Sequence, residues 1–344
     1  MLMAACSDLD QLVTVVDIDQ NTMNALPPIA EIMRRHGCRC SPEEFHGALN
    51  VLFHDFEAEV YDEGHRDMWE SLPAQVELLV ADCIAAIGIR DKLAVLDIGC
   101  GTGLASHCAV ASSLGSRIAS IDLLDTSSIM LQRALRRGQN WGVPVVTHRG
   151  TVDALPRKQY DLIVTCSVLH HIPDLQSFLA GVEELQAPGG IFIHLQDPNG
   201  DHLNDPDLQE RIARKEKKFV PESISRLSPK RVLGRLYRQF TGQQGQDYLS
   251  RTNRELLNRG IVQTPLSVAE IFEIIDIHVQ DGAGISIQQM KAWMPGHRLI
   301  SQRAYGFFGH LWSSLPTKLK AAEEQMIEAR ALNGFHIAAA WHKP

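Results

Sequence analysis

The sequence lacks the features that mark membrane, secreted and metal-binding proteins. Its 344 residues contain no run of about eighteen apolar residues, so we expect no membrane-spanning helix. Its seven cysteines include no C-x-x-C pair and no Cys/His cluster with ligand spacing, which predicts reduced thiols and no metal site. Residues 1–10 have no basic region followed by an apolar run, so no secretory signal is expected. These absences favour a cytoplasmic protein.

An excess of positive charge is also missing. The chain has 41 acidic residues (Asp and Glu) against 33 Lys and Arg, which gives a net charge of −8. A general nucleic-acid surface needs a basic excess, so we expect no nucleic-acid partner and, without an apolar span, no membrane partner. The balance reverses in residues 203–260, which hold 13 basic and 7 acidic residues. This segment is interpreted as a solvated helix face, with binding of an anionic acceptor as the alternative.

Strand and helix patterns alternate from residue 93 to residue 198. Apolar runs predict strands, and amphipathic segments between them predict helices near 104–114, 127–137 and 175–185. The predicted strands are 93–98, 117–122, 143–148, 160–166 and 190–196, followed after a gap by 298–305 and 335–341. This alternation indicates βαβ units and a parallel sheet. After the gap the alternation resumes, and it predicts two more helices near 268–275 and 318–331.

The same patterns divide the chain into three predicted parts. Residues 1–90 are predicted to form an N-terminal helical cap. Residues 91–200 and 261–344 are predicted to form the α/β core, and residues 201–260 an inserted helical lid or substrate segment. Six apolar residues of the cap and the lid suggest an apolar or aromatic ligand: Phe45, Phe53, Phe56, Leu233, Leu236 and Phe240.

The most informative segment is residues 95–103, with the sequence Val-Leu-Asp-Ile-Gly-Cys-Gly-Thr-Gly. It predicts a buried strand that ends in a glycine-rich turn and opens a helix. Gly99, Gly101 and Gly103 lack Cβ atoms, so the backbone can turn tightly and approach a ligand. The helix N-terminus that follows offers N–H groups that suit an anion. A second strand ending near Asp122 makes this pattern more specific than a lone glycine motif.

Residues 97–103, Asp-Ile-Gly-Cys-Gly-Thr-Gly, resemble motif I of the class I S-adenosylmethionine-dependent methyltransferases. The segments 160–174 and 187–190 resemble the family's fourth strand with its following loop and the turn before its fifth strand. The resemblance implies a Rossmann-like, doubly wound, mostly parallel sheet of seven strands. It also implies S-adenosylmethionine as the cofactor and a methyltransferase activity.

The resemblance implies a set of cofactor-binding residues at the carboxyl ends of the strands. Three of its members carry alternatives. Thr151 takes the position of the family's adenine-binding acid, with Asp153 as the substitute if the loop turns differently. The ribose-binding acid is placed at Asp122, with Asp125 as the second register. Tyr61 resembles a residue of a segment that folds over the cofactor, although helix packing also explains it. The predicted set is Tyr61, Asp97, Gly99, Cys100, Gly101, Gly103, Asp122, Thr151, Val152, Cys166 and Ser167.

We expect the enzyme to methylate a small-molecule acceptor, as in secondary metabolism, with oxygen or carbon favoured as the acceptor atom. Alignment of the acceptor with the methyl group supplies much of the catalysis. A base near neutral pKa would add to it, and the predicted candidates are His171 first, then His170 and His194. The alternative is a non-methylating use of the fold, either cyclase-like or as a regulatory binding module. The oligomeric state stays open, with a homo-oligomer among the options.

Overall fold

The computed structural model describes residues 27–219, 247–280 and 282–344. The helices in these ranges are α1 (Pro27–Arg35), α2 (Pro42–Glu57), α3 (Tyr61–Gly64), α4 (Arg66–Ile87), α5 (Leu104–Ala111), α6 (Ser128–Gly138), α7 (Leu175–Leu185), α8 (Pro206–Phe219), α9 (Asp247–Asn258), α10 (Val268–Ile275), α11 (Ile277–Gln280), α12 (Ile287–Trp293) and α13 (Thr317–Glu328). The strands are β1 (Leu93–Ile98), β2 (Ile118–Asp125), β3 (Val145–Arg149), β4 (Tyr160–Cys166), β5 (Gln186–Pro198), β6 (Arg298–Tyr305) and β7 (His336–His342).

The seven strands form one sheet in the order β3-β2-β1-β4-β5-β7-β6. Strands β1 to β5 pair in parallel, and β7 is antiparallel to both of its neighbours. This confirms the predicted Rossmann-like α/β fold with a mostly parallel seven-stranded sheet. The order reverses at β1, whose neighbours are β2 and β4, so the carboxyl ends of these strands surround the crevice where such sheets bind ligands.

Both faces of the sheet are covered, as the continuous apolar runs of the strands require. On one face Val95 of β1 packs in a cluster with residues of α4 and α5, including Leu72 and Leu79. On the other face Leu96, the next residue of β1, joins a second cluster with residues of α7. Helix α4 therefore belongs to the main core, because its apolar face covers the sheet.

The N-terminal helices α1 and α2 pack against α9 and α10 in a third apolar cluster. Ser41 and Glu44 form a reciprocal capping box that fixes the start of α2. Phe45 and Phe53, which the sequence suggested as ligand contacts, are 0% and 1% exposed inside this cluster. They stabilise the packing and do not line a binding surface, whereas Phe56 is only half-buried.

The predicted lid is described in part. Helices α8 and α9 occupy its two ends, while Leu233, Leu236 and Phe240 lie outside the described residues. The division into cap, core and lid therefore stays a prediction. Within the ranges that the structure describes, no helix is long and apolar enough to span a bilayer.

Candidate functional site

The glycine turn after β1 has the geometry of a ligand-binding loop. Gly99, Gly101 and Gly103 have φ angles of +63°, +51° and +90°, in the region that favours glycine. A Cβ atom on Gly99 would lie 2.6 Å from Val168, so this glycine is required by packing. A Cβ atom on Gly101 would meet nothing within 4 Å, so the turn presents its backbone to open space at this position. Cys100 between them is buried.

Asp97 lies beneath this turn and is fully buried. Its Oδ2 accepts hydrogen bonds from the backbone N–H and the hydroxyl of Ser106, at 3.0 and 2.6 Å. Its Oδ1 has no hydrogen-bond partner among the described residues. Burial raises the pKa of Asp97 to about 7, although the bonds from Ser106 oppose the shift. A buried oxygen without a partner is a place where a ligand or a water molecule would be favoured.

The prediction that the second strand ends at Asp122 is wrong, because β2 continues to Asp125. Asp122 is buried inside the sheet, and its carboxylate accepts bonds from Lys158 at 3.0 Å, Tyr160 at 2.8 Å and His148 at 3.1 Å. Burial opposes ionisation of Asp122, but these hydrogen bonds outweigh it and lower its pKa. The lone pairs of Asp122 are therefore largely used within the protein.

Asp125, the alternative acid, ends β2 beside the glycine turn. Its Oδ2 accepts the backbone N–H of Gly101 and its Oδ1 that of Ser127, both at 2.8 Å. Asp125 is half-buried, and burial raises its pKa. Each oxygen accepts one of these N–H groups, so the carboxylate keeps lone pairs for a ligand.

The N-terminal helices reach over this edge of the sheet. Asp62 of α3 accepts a 2.6 Å bond from Thr102 of the glycine turn and a 2.7 Å bond from Arg137 of α6. Tyr61, the preceding residue, is half-buried, and its ring centre lies 4.4 Å from that of His65. Burial, reinforced by nearby acids that include Asp125, raises the pKa of Tyr61 well above its usual value.

Four other predicted cofactor residues follow β3 and β4. Thr151 is exposed and precedes a single 3-10 turn, whereas Val152 is half-buried and packs on the second core cluster. Cys166 ends β4 and is half-buried. Ser167 has a φ of +59°, a strained value for a residue with a Cβ atom, and its N–H is bonded to the β5 backbone. Strain of this kind is concentrated at functional sites.

His170 and His171, in the turn after β4, lie beside two buried carboxylates. His170 Nδ1 is 2.8 Å from Asp197 Oδ1, and His170 Nε2 is 3.9 Å from Asp276 Oδ1. His171 Nδ1 lies 3.4 Å from Asp276 Oδ1 and 3.0 Å from the carbonyl oxygen of Ile275. One ligand atom from each of His170, His171 and Asp276 lies within 4.8 Å of the other two, so this group could hold a metal ion.

Sequence reasoning missed Asp276, which lies 105 positions beyond His171 and shows no local motif. It follows α10, and the fold brings it to the loop after β4. Burial raises the pKa of Asp276 to about 6, although nearby histidines oppose the shift. Burial, reinforced by neighbouring histidines, lowers the pKa of His171 well below its usual value. His171 is therefore neutral at pH 7.

His194, the third predicted base, lies inside β5. Its side chain is completely buried, and neither ring nitrogen has a hydrogen-bond partner within the described ranges. Burial lowers its pKa to about 4, so the ring is neutral. Because the ring is enclosed within β5, His194 has no route to an acceptor in this structure.

A cavity of about 380 Å³ lies away from the carboxyl edge of the sheet, because it is lined by residues at the amino ends of the strands, such as Leu93 and Gly189.

A family model described as a methyltransferase domain matches residues 96–192. This range contains the glycine turn, both candidate acids of β2 and the His170–His171 pair. Residues 96–192 therefore match a methyltransferase domain, as the sequence motifs indicated. The sequence resemblance to this family is therefore confirmed.

Curated relatives of the methyltransferase domain cover only part of the chain. The chain is 25% identical over 122 residues to a ubiquinone biosynthesis O-methyltransferase of Rickettsia canadensis, which covers 35% of this chain and 50% of that protein. It is 32% identical over 112 residues to the enzyme of the same name from Leptothrix cholodnii, covering 31% and 46%. The chain thus spans about half the length of these relatives or less.

The solved structures that are similar to the chain include an S-adenosylmethionine-dependent methyltransferase from Mesorhizobium loti. The identity is 14%, the alignment covers 76% of this chain and 96% of that one, and the TM-score is 0.39.

Proposed function

We propose that the protein transfers the methyl group of S-adenosylmethionine to a small-molecule acceptor at the carboxyl edge of the sheet. The observation that carries this proposal is the glycine turn of the methyltransferase domain. Its backbone faces open space at Gly101, and an acid bonded to the turn stands beside it at Asp125. The sulfonium methyl is already electrophilic, so the protein's main tasks are to align the acceptor and to exclude water.

The residues present at this edge fit S-adenosylmethionine. Gly101 leaves room for close approach of the cofactor, and the buried Asp97 Oδ1 has no partner among the described side chains. The N-terminus of α5 directs its N–H groups and dipole toward the same edge, which suits the cofactor's carboxylate. Tyr61 would cover the cofactor, and the turn at Thr151 and Val152 would border the adenine.

We assign the ribose to Asp125 in place of Asp122. Asp125 is half-buried at the strand end, whereas the Asp122 side chain is 4% exposed and bonded to Lys158. We expect Asp125→Ala to weaken binding of S-adenosylhomocysteine by roughly 10- to 150-fold, because charge-assisted bonds worth about 1.5–3 kcal/mol are lost. Calorimetric titration measures this affinity.

Asp122→Asn is the matched control for this measurement. It should lower the thermal stability, because the pair with Lys158 is weakened, and leave the cofactor affinity within about threefold of wild type, well below the loss expected for a ribose acid. The opposite pattern, with affinity lost in Asp122→Asn and kept in Asp125→Ala, would return the ribose to Asp122.

We place the acceptor against the cluster of His170, His171 and Asp276. The cluster lies at the carboxyl ends of β4 and β5, next to the cofactor crevice. During transfer the sulfur–methyl bond breaks as a bond to the acceptor atom forms, the sulfur keeps the electron pair, and the acceptor must lose its proton. The relatives are ubiquinone biosynthesis O-methyltransferases, and this supports oxygen as the acceptor atom. An apolar or aromatic acceptor stays part of the proposal, although Phe45 and Phe53 no longer support it.

The competing proposal is a protein that binds S-adenosylmethionine without transferring its methyl group. The same glycine turn and the same acid would serve either function. Incubation with methyl-labelled S-adenosylmethionine and a panel of phenols, carboxylates, amines and prenylated aromatics distinguishes them. Only methyl transfer produces S-adenosylhomocysteine and a labelled acceptor.

A further inference from the structure

The buried cluster at the loop after β4 combines three side chains that are typical metal ligands. We propose that His170, His171 and Asp276 bind a divalent first-row transition-metal ion of the zinc type. Two imidazoles and one carboxylate form a donor set that such ions prefer, and Mg²⁺ favours oxygen ligands instead. The absence of Cys/His ligand spacing in the sequence does not conflict with this site, because Asp276 reaches it through the fold.

The spacing of the cluster suits a shared ion better than direct hydrogen bonds between its members. One ligand atom from each of His170, His171 and Asp276 lies within 4.8 Å of the other two. The distance from His170 Nε2 to Asp276 Oδ1 is 3.9 Å, which exceeds the usual range for an N–H···O bond, about 2.7–3.2 Å. Two ligand atoms that each lie about 2.1 Å from a tetrahedral ion are about 3.4 Å apart, close to this distance. His171 Nδ1 donates to the carbonyl oxygen of Ile275 at 3.0 Å, so its Nε2 carries the lone pair that an ion would take.

His170 also has the supporting contact that metal-bound histidines usually make. Its Nδ1 lies 2.8 Å from Asp197 Oδ1, so the ring donates from Nδ1 and keeps the lone pair of Nε2 on the Asp276 side. Asp197 is fully buried and also accepts the backbone N–H of His170 at 3.2 Å. A carboxylate that holds one ring nitrogen fixes the tautomer and makes the other nitrogen a better ligand.

The local charge balance favours an added cation. Asp197 and Asp276 are 0% and 7% exposed at their side chains, and their ion-pair partners in the described ranges are histidines, with no Lys or Arg among them. Buried carboxylates need a compensating charge or a bound proton. A divalent ion would supply two positive charges between these groups.

The consequence for catalysis rests on the proposed function. Three protein ligands leave a coordination position open to an acceptor oxygen. The ion would lower the pKa of that oxygen, the proton would leave to solvent, and the resulting oxyanion would form the new bond to the methyl carbon. In this arrangement His170 and His171 act by holding the ion, and neither of them needs to accept the proton.

The test measures metal binding without cofactor or acceptor, so its outcome is independent of methyl transfer. The full chain is stripped with a chelator and titrated with Zn²⁺ by calorimetry and with Co²⁺ by absorption spectroscopy. We expect one ion per chain and a Co²⁺ spectrum of nitrogen and oxygen ligands. Asp276→Asn and His171→Ala should weaken Zn²⁺ binding by at least roughly 100-fold, and Asp197→Asn by about 10- to 100-fold.

A matched control comes from a histidine–aspartate pair elsewhere on the chain. His202 Nδ1 lies 3.9 Å from Asp205 Oδ2, and both side chains are partly exposed. His202→Ala should leave Zn²⁺ binding unchanged. Unfolding curves establish that Asp276→Asn, which preserves the side-chain shape, is folded.

Two results would overturn the metal site. One is the absence of Zn²⁺ binding to the folded wild-type chain. The other is binding that Asp276→Asn and His171→Ala leave intact, with a thiolate charge-transfer band in the Co²⁺ spectrum. The second result would assign the ion to Cys38 and Cys40, whose sulfur atoms lie 3.2 Å apart.

Discussion

The Gly101→Val protein is expected to fold and to lose measurable binding of S-adenosylmethionine. The valine side chain would project into the open space that the turn presents, because a Cβ atom at Gly101 meets no protein atom within 4 Å. The φ of +51° adds a folding cost of about 1–2 kcal/mol for a residue with a Cβ atom. That cost is a modest fraction of the total stability of most domains. Calorimetric titration with S-adenosylhomocysteine, alongside thermal unfolding, separates the two effects.

Gly88→Val is the control for backbone strain. Gly88 has a φ of +65°, and a Cβ atom there also meets nothing within 4 Å. It lies between α4 and the start of β1, at the opposite edge of the sheet from the glycine turn. Gly88→Val should lower the stability and leave the cofactor affinity unchanged. Unchanged affinity in a folded Gly101→Val protein would contradict the assignment of the cofactor to this turn.

The His170→Ala protein is expected to turn over roughly 10²–10⁴-fold more slowly than wild type, the range typical of a lost acid–base or acceptor-activating group. The substitution removes the ring that Asp197 orients and that faces Asp276. Affinity for S-adenosylhomocysteine should change little, because His170 is not among the residues assigned to the cofactor. Steady-state kinetics at saturating cofactor measures kcat, and calorimetry measures the affinity.

Two comparisons complete this experiment. His297→Ala, which removes a contact with Gln186 at the start of β5 and so at the other edge of the sheet, should keep wild-type kcat. Replacement of His194, which is buried within β5, should lower stability more than turnover. If His170→Ala and His171→Ala each retain more than about a tenth of the wild-type kcat, alignment alone explains catalysis and the cluster has no activating role.

Much of the fold could be predicted because its signals are local. β1, β4, β6, α7 and α10 have the predicted bounds, since each is an apolar or amphipathic run with turn residues at its ends. The end of β2 could not be predicted in this way. A carboxylate normally ends a buried strand, but Asp122 continues inside the sheet because Lys158, Tyr160 and His148 satisfy it. These partners lie 26 to 38 positions away, so no local pattern shows them.

In the candidate site, too, the features with a local sequence signal could be predicted and those assembled by the fold could not. The glycine turn is a continuous motif, and its strand–turn–helix geometry was predicted. The partners of His170 and His171 come from β5 and from the end of α10, so the fold alone brings Asp197 and Asp276 to them. The aromatic residues of the N-terminal helices led to a wrong expectation about ligand contacts. Phe45 and Phe53 fit a ligand surface by composition, but the packing of α2 on α9 and α10 buries them.

The most direct test of methyl transfer is the formation of S-adenosylhomocysteine, measured by mass spectrometry, from enzyme, methyl-labelled S-adenosylmethionine and the acceptor panel. Methyl transfer predicts that S-adenosylhomocysteine and one labelled acceptor accumulate in equal amounts with the wild-type chain, and that neither forms with Gly101→Val. A wild-type chain that binds S-adenosylmethionine but forms no S-adenosylhomocysteine with any acceptor class in the panel would contradict it and favour the non-methylating function.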